Sequence, residues 1–295
     1  MLNIDKKLSE TDIRTKGSTH IILRSNTDDK RIWIQDAPFS NTLNRHKIRH
    51  LGYATMKPPF EIVRMNLGGS YFLAGINGIG RFITDGRWKT CSPGEAFLLP
   101  AGTMHAFEAL PNNEWSFCWV RFQEGAMNQP VGEANSPVLA SFNCEAFQHA
   151  ILGLIAEATT TKRQEMELQW LDIVYQSIRE FAQPEFLDDR LQKLFQHVEK
   201  ALDKPWPNDK MAKIAAIGER QLERLCLKQL GRTPRQHLIW LRMHRAAKLL
   251  GEAELKIESI AAEVGYTNPF AFSNTFKRFM GWAPSSYPGR RKEMK

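Results

Sequence analysis

The sequence predicts a chain of two unlike folds: a β domain in the first half and a duplicated all-α domain at the C-terminus, joined by two helices. Three observations carry this. Short apolar runs between residues 50 and 125 alternate with turn pairs. From about residue 143 the apolar period changes to three and four. After residue 190 a two-helix pattern occurs twice, about fifty positions apart.

Taken in order, the first fifty residues are polar and weakly patterned, with Ile32-Trp33-Ile34 as a candidate strand. The β segment is punctuated by Leu67-Gly68-Gly69, Asn77-Gly78, Asp85-Gly86, Pro93-Gly94 and Ala101-Gly102. Asp85-Gly86 suits a type I′ hairpin, whose two central residues both need φ > 0. Strands at this spacing make a sandwich or a small barrel. Trp115-x-Phe117-x-Trp119-x-Arg121 alternates as a strand does, so all four side chains share a face. Two amphipathic helices follow. Phe147, Ile151, Leu154 and Ala158 mark the first; Leu168, Leu171, Val174, Tyr175, Ile178 and Phe181 mark the second, which Gln183-Pro184 ends. They pack on the β domain, and the second is a candidate dimer interface. These boundaries give an arm and β domain over 1–140, a helical dimerisation or linker region over 141–185, and a third domain over 186–295.

The third domain is all-α. Leu191, Leu194, Phe195 and Val198 form one stripe, and Asn208 is a candidate cap for a helix holding Met211, Ala212 and Ala215. Gly231-x-x-Pro234 returns as Gly281-x-x-Pro284, and Leu222 returns as Phe272. In the second copy Ile257, Ile260, Ala261 and Val264 line one helix. Gly265 allows a sharp turn, Asn268 is placed to cap and Pro269 to start the next helix, and Phe272, Phe276 and Phe279 form its buried stripe. Phe270, Ser273, Asn274, Lys277 and Arg278 are left on the other face. The first copy buries Leu222, Leu225 and Cys226 and exposes Arg220, Gln221, Glu223, Arg224 and Lys228. Thr233-Pro234 opens a long helix through Leu250 that joins the copies. A helix, a tight turn and a helix with a basic outer face is the arrangement that enters the major groove of DNA.

Charge agrees. The last 106 residues hold 21 Lys+Arg and 10 Asp+Glu, while the preceding 189 hold 19 and 22, so one domain is suited to a polyanion. No apolar run approaches the roughly 18 residues of a membrane span, and the N-terminus lacks the apolar stretch of a signal peptide. The expectation is a soluble, cytoplasmic protein. Cys91, Cys118, Cys144 and Cys226 form no C-x-x-C pair, which argues against a thiolate zinc site and a disulfide framework.

The run Ile260-Ala261-x-x-Val264-Gly265-Tyr266, continued by Phe272-Ser273-x-x-Phe276-Lys277-Arg278-Phe279-x-Gly281-x-x-Pro284-x-x-Tyr287, resembles the signature of the AraC/XylS transcription regulators. The resemblance covers about residues 190–291. It implies two recognition helices on double-stranded DNA. Arg220, Glu223 and Arg224 would read bases from the first, with Phe270, Ser273 and Asn274 at the corresponding places in the second. Lys277 and Arg278 are assigned to phosphate. Ala216, Cys226, His237 and Asn274 depart from the usual pattern, which shifts the expected specificity toward the first helix.

Gly94-x5-Pro100-x-Gly102-x2-His105 is similar to the second motif of the cupin barrel. The resemblance implies a cupin-like sensor barrel with flanking helices, into which the Trp115–Arg121 face would point to stack on a small-molecule effector such as a sugar. The second helix would form a homodimer, and the AraC/XylS resemblance implies activation with contact to RNA polymerase. Candidate ligand-binding residues are Trp88, His105, Trp119 and Arg121. An earlier H-x-H pair is absent between Arg64 and Gly80, so a metal cupin enzyme is the weaker alternative. No metal, cofactor or catalytic residue is expected. A barrel that only dimerises is the other alternative.

Overall fold

The computed structural model describes residues 10–65, 68–123, 132, 136–183, 188–252 and 255–288. The chain separates into two compact units, one holding the strands and the first two helices, the other holding the later helices. Pro184 lies outside the described residues.

The first unit is built from eleven strands among the described residues. They are β1 (Thr11–Ile13), β2 (Thr19–Arg24), β3 (Ile48–Met56), β4 (Glu61–Arg64), β5 (Tyr71–Asn77), β6 (Gly80–Thr84), β7 (Arg87–Cys91), β8 (Glu95–Leu99), β9 (His105–Ala109), β10 (Trp115–Phe122) and β11 (Leu139–Ser141). They form two sheets in the orders β1-β4-β9-β6-β7 and β11-β8-β5-β10-β3-β2. This is the cupin-like fold expected of the N-terminal half. At the β6–β7 turn Asp85 and Gly86 both take left-handed φ, 54° and 71°, as a type I′ turn requires.

Strand β10 sits at the centre of its sheet, paired antiparallel with β3 and β5. Its two faces meet different cores. Trp115, Phe117 and Trp119 are buried between the sheets, with ring centroids 4.5 Å and 6.0 Å apart along the strand. Cys118, Val120 and Phe122 face the other way, into the core shared with α1 (Cys144–Thr159) and α2 (Gln164–Ala182). Asn143 caps α1 by accepting from the Ala146 amide. Leu171, Val174, Ile178 and Phe181 bury one face of α2, as their spacing predicts.

The first fifty residues differ from expectation. Ile32-Trp33-Ile34 is a turn rather than a strand, and the strands there are β1, β2 and the start of β3. Trp33 is held by one distant and one neighbouring side chain: the Arg14 guanidinium lies 4.0 Å from its ring centroid and that of Arg31 4.7 Å. These cation–π contacts and the burial of Ile34 fix a conformation that local propensity does not.

The second unit contains α3 (Asp189–Glu199), α4 (Asn208–Ile214), α5 (Glu219–Leu230), α6 (Pro234–Glu252), α7 (Ile257–Glu263) and α8 (Pro269–Met280). Asn208 is the first residue of α4 rather than its cap; Pro207 holds the cap position, with no side-chain bond. Thr233 and Gln236 close α6 with a reciprocal capping box. The Gln236 amide donates to Thr233 Oγ1 at 3.3 Å, and the Thr233 amide donates to Gln236 Oε1 at 2.9 Å.

The duplication extends to the backbone. In the turn after α4, Ala216 donates to the Lys213 carbonyl and Ile217 to that of Ala212, at 3.1 Å each. Forty-nine positions later Gly265 donates to Ala262 at 3.0 Å and Tyr266 to Ala261 at 2.8 Å. Leu222, Cys226 and Leu230 are the buried stripe of α5, and Phe272, Phe276 and Met280 fill the same places in α8. Leu225 and Phe279, expected in these stripes, are only partly buried. Both lie one position before the helix-facing stripe, so they pack at its edge.

Ala216 takes φ of 52° where the second copy has Gly265. A left-handed alanine costs roughly 1–2 kcal/mol, partly offset in glycine by chain entropy. Ala216 is exposed, so no packing is lost on removing its methyl. Ala216→Gly is therefore expected to stabilise this unit by about 0.5–1 kcal/mol. A lowered denaturation midpoint would rule the account out.

Candidate nucleic-acid interface and ligand cavity

On α5 the buried stripe leaves Arg220, Gln221, Glu223, Arg224 and Lys228 all exposed. They project from one side of a helix that Gly231, at φ of 66°, terminates. Cys226 belongs to the buried side, and burial pushes its thiol up to about 12, so it fills space as a neutral group. On α8 the Asn268 side chain accepts from the amides of Phe270 at 2.8 Å and Ala271 at 3.3 Å, and Pro269 is the first helical residue. Phe270 is 81% exposed, an unusual place for a phenyl ring without a partner. Asn274, Lys277 and Arg278 are exposed beside it, and Ser273 is half-buried.

Each of these helices thus carries an apolar stripe that fixes it and a polar face free for contact. The face of α5 offers two arginines, a glutamine and a carboxylate, which suit guanine, adenine and cytosine edges. The face of α8 is poorer in base-reading groups. Its cations stand in the last turn, where phosphate contacts are the simpler use.

The first unit holds a cavity of about 360 Å³ at one end of the space between the sheets. Strand register assembles it. Arg121 lies opposite His50 on β3 and Tyr71 on β5, and Arg64 on β4 lies opposite His105 on β9. Arg49, His50, Arg64, Tyr71, His105 and Arg121 all line it. Trp119 is not a lining residue. It is buried behind the wall, where its Nε1 donates to His50 Nδ1 at 2.9 Å. Trp88 stands apart on β7, with the Arg81 guanidinium 4.8 Å from its ring centroid. Of the four candidate residues, the fold therefore brings together His105 and Arg121.

Arg31, Arg49, His50, Arg64 and Tyr71 carried no signal in the sequence, because they come from separate segments joined only by sheet pairing and loop folding. Two of the cations are neutralised: Arg31 pairs with Asp29, and Arg64 with Asp12 and Glu10. Burial, then repulsion from Arg31 and Arg121, drives His50 well below the usual imidazole range. Burial and Arg121 lower His105 to about 3, and burial raises Tyr71 to about 12. All three are neutral near pH 7. His105 Nε2 lies 2.9 Å from the Pro100 carbonyl, which can only accept, so the proton is on Nε2 and Nδ1 is an acceptor. That Nδ1 is buried without a hydrogen-bond partner, as is Arg49 Nε.

A larger, more open groove of about 990 Å³ runs past Arg14, Ile21, Trp33 and Ile155. Among the described residues no three His, Cys, Asp or Glu side chains gather as metal ligands, and no helix is long and apolar enough to cross a membrane.

Sequence comparison agrees with this division of labour. Residues 74–208 match the AraC-like ligand binding domain and residues 211–290 match a helix-turn-helix domain. The lactose operon transcription activator of Staphylococcus xylosus is 23% identical over 224 residues, spanning 71% of this chain and 80% of the relative. The arabinose operon regulatory protein of Escherichia coli (strain K12) is 25% identical over 227 residues, spanning 72% and 77%. The Msm operon regulatory protein of Streptococcus mutans is 23% identical over 234 residues, spanning 74% and 82%. A ligand-binding domain followed by a duplicated helix-turn-helix unit places the chain in the AraC/XylS family of DNA-binding transcription regulators.

Proposed function

We propose that this regulator is an effector-responsive activator whose α5 reads bases and whose α8 mainly anchors the protein to phosphate. The observation that carries this is the contrast between the exposed faces. Arg220, Gln221, Glu223 and Arg224 offer base-edge chemistry on α5, while α8 offers Phe270, Ser273 and Asn274 with Lys277 and Arg278 at its end. Selection of binding sites by the full chain from random duplex DNA tests it. Two short motifs about one helical turn apart, the stronger set by α5, are expected. Weak, salt-sensitive binding without enrichment would defeat it.

Two substitutions separate the roles. Arg224→Ala should cost about 1–3 kcal/mol on the selected site and relax preference at one base pair. Unchanged binding removes the base-reading role. Lys277→Ala with Arg278→Ala should weaken binding to all sequences and reduce the slope of log K against log salt by about 1.8. A site-dependent loss with an unaltered slope would reassign those residues.

The cavity between the sheets supports small-molecule control, and the named functions of the lactose and arabinose operon relatives support activation and a sugar-like effector. Control requires an effector that binds one arrangement of the protein more tightly than another. A homodimer and contact with RNA polymerase belong to the same proposal, tested by sedimentation of the full chain and by transcription with purified polymerase. The reading of the barrel as a dimerisation module alone is supported only by its aromatic interior. The open cavity at its other end favours a ligand.

A further inference from the structure

The chemistry of the cavity narrows the effector, and this step rests on the reading of the cavity as an effector site. Its lining carries five cationic side chains, Lys30, Arg31, Arg49, Arg64 and Arg121; Arg31 is paired with Asp29 and Arg64 with Asp12 and Glu10, which leaves Lys30, Arg49 and Arg121 against the exposed carboxylate of Asp28. A neutral sugar needs no such excess of positive charge. Burying like-charged guanidinium groups is costly unless an anion joins them.

The two unsatisfied atoms point the same way and add detail. Arg49 Nε is a donor and His105 Nδ1 an acceptor, both buried and without partners among the described residues. Orphaned buried polar atoms are rare in native proteins and mark a missing partner. A guanidinium donor is best met by an oxyanion, through charge-assisted hydrogen bonds. A lone-pair nitrogen is met by a hydroxyl or amine. At about 360 Å³ the cavity is at the small end of ligand sites, which run to roughly 1,000 Å³.

We infer that this cavity takes a small polyhydroxylated oxyanion, its anionic group on the guanidinium of Arg49 beside Arg121 and its hydroxyls toward the neutral polar wall at Tyr71 and His105. A sugar acid and a sugar phosphate share this chemistry.

The test is thermal denaturation and calorimetry of the full chain with a fixed panel of probes. D-Gluconate and D-galacturonate represent carboxylates, and D-glucose 6-phosphate represents phosphates. D-Glucose, D-galactose and L-arabinose are the neutral controls. Acetate and inorganic phosphate carry the charge without the hydroxyls. At least one hydroxylated anion should raise the melting temperature at millimolar concentration. Its neutral counterpart should not, and acetate or phosphate should bind at least about tenfold more weakly. Which of the two anion classes binds identifies the source of the charge.

Arg49→Gln should weaken that ligand by about tenfold or more, while Arg49→Lys, which keeps the charge, retains part of the binding. The unliganded melting temperatures of both variants report whether the fold survives. Equal stabilisation by a neutral sugar overturns the inference and leaves the effector-site reading standing. Binding of an anion that Arg49→Gln leaves untouched overturns it, as does failure of every probe. The DNA-site selection uses no ligand, so it judges the regulator reading independently.

Discussion

Acidification from pH 7 to pH 5 is expected to remove roughly 4 kcal/mol of stability from the strand-built unit. The cause is a pair of histidines folded in their neutral form. His50 is 2% exposed and His105 is 1% exposed. Burial first, and then cations such as Arg121, hold both far below the unfolded value of about 6.5. Between the two pKa values the unfolded chain binds a proton at each site and the native chain does not. Stability is therefore intact above about pH 6.5 and falls as the pH drops toward about 3, where His105 would protonate in the fold. Two such sites give a slope of about 2.7 kcal/mol per pH unit.

The carboxylate of Asp29, which acts on His50, stays outside this window. Asp29, which burial would raise, is held down to about 2 by its hydrogen bonds to Arg31. The helical unit should respond in the same direction through His237, which is wholly buried against Phe195 and Trp240. Urea midpoints at pH 7, 6 and 5, followed by tryptophan fluorescence and far-ultraviolet dichroism, would measure the effect. A midpoint independent of pH over that range would mean that the histidines are charged, or solvated, in the native state.

What the sequence made legible was whatever rests on local chemistry. The second recognition helix is the clearest case. Asn268, Pro269 and the Phe272–Phe276 spacing each act within one or two turns, and each does in the structure what its residue type suggests. The Thr233-x-x-Gln236 capping box had an equally local signal that went unread. Strand β10 was half legible. Its alternation located the inner aromatic face, but Cys118, Val120 and Phe122 are also buried, under α1 and α2, so the strand has no solvent side to contrast with. The cavity was least legible. Arg49 and Tyr71 lie on the strands that flank β10, and Arg64 lies in the other sheet beside β9, so only the packing of the two sheets brings all three together. No window of sequence contains that convergence. For the same reason the turn at Ile32–Ile34 looked like a strand: Arg14, whose guanidinium lies over Trp33, acts through tertiary contact.

Replacing Gly265 by alanine is expected to cost about 3 kcal/mol or more and to abolish specific DNA binding with it. Two independent penalties add. The residue has φ of 78°, which costs an alanine roughly 1–2 kcal/mol. A methyl built there would also lie 2.7 Å from the Leu202 carbonyl oxygen and 2.5 Å from Arg242 Nη2. The carbonyl is backbone and cannot swing aside. Nor is Arg242 a loose surface group, because its Nε donates to Leu202 at 3.0 Å and its Nη2 to Lys204 at 2.9 Å. Relief must come from moving the α7–α8 turn, and α8 takes its direction from that turn. The contrast with Ala216→Gly is the sharper part of the test, since the two positions correspond in the repeat and the substitutions run in opposite directions. One should destabilise and the other stabilise. If Gly265→Ala and Ala216→Gly shifted the urea midpoint in the same direction, turn geometry would not be the controlling factor in either copy.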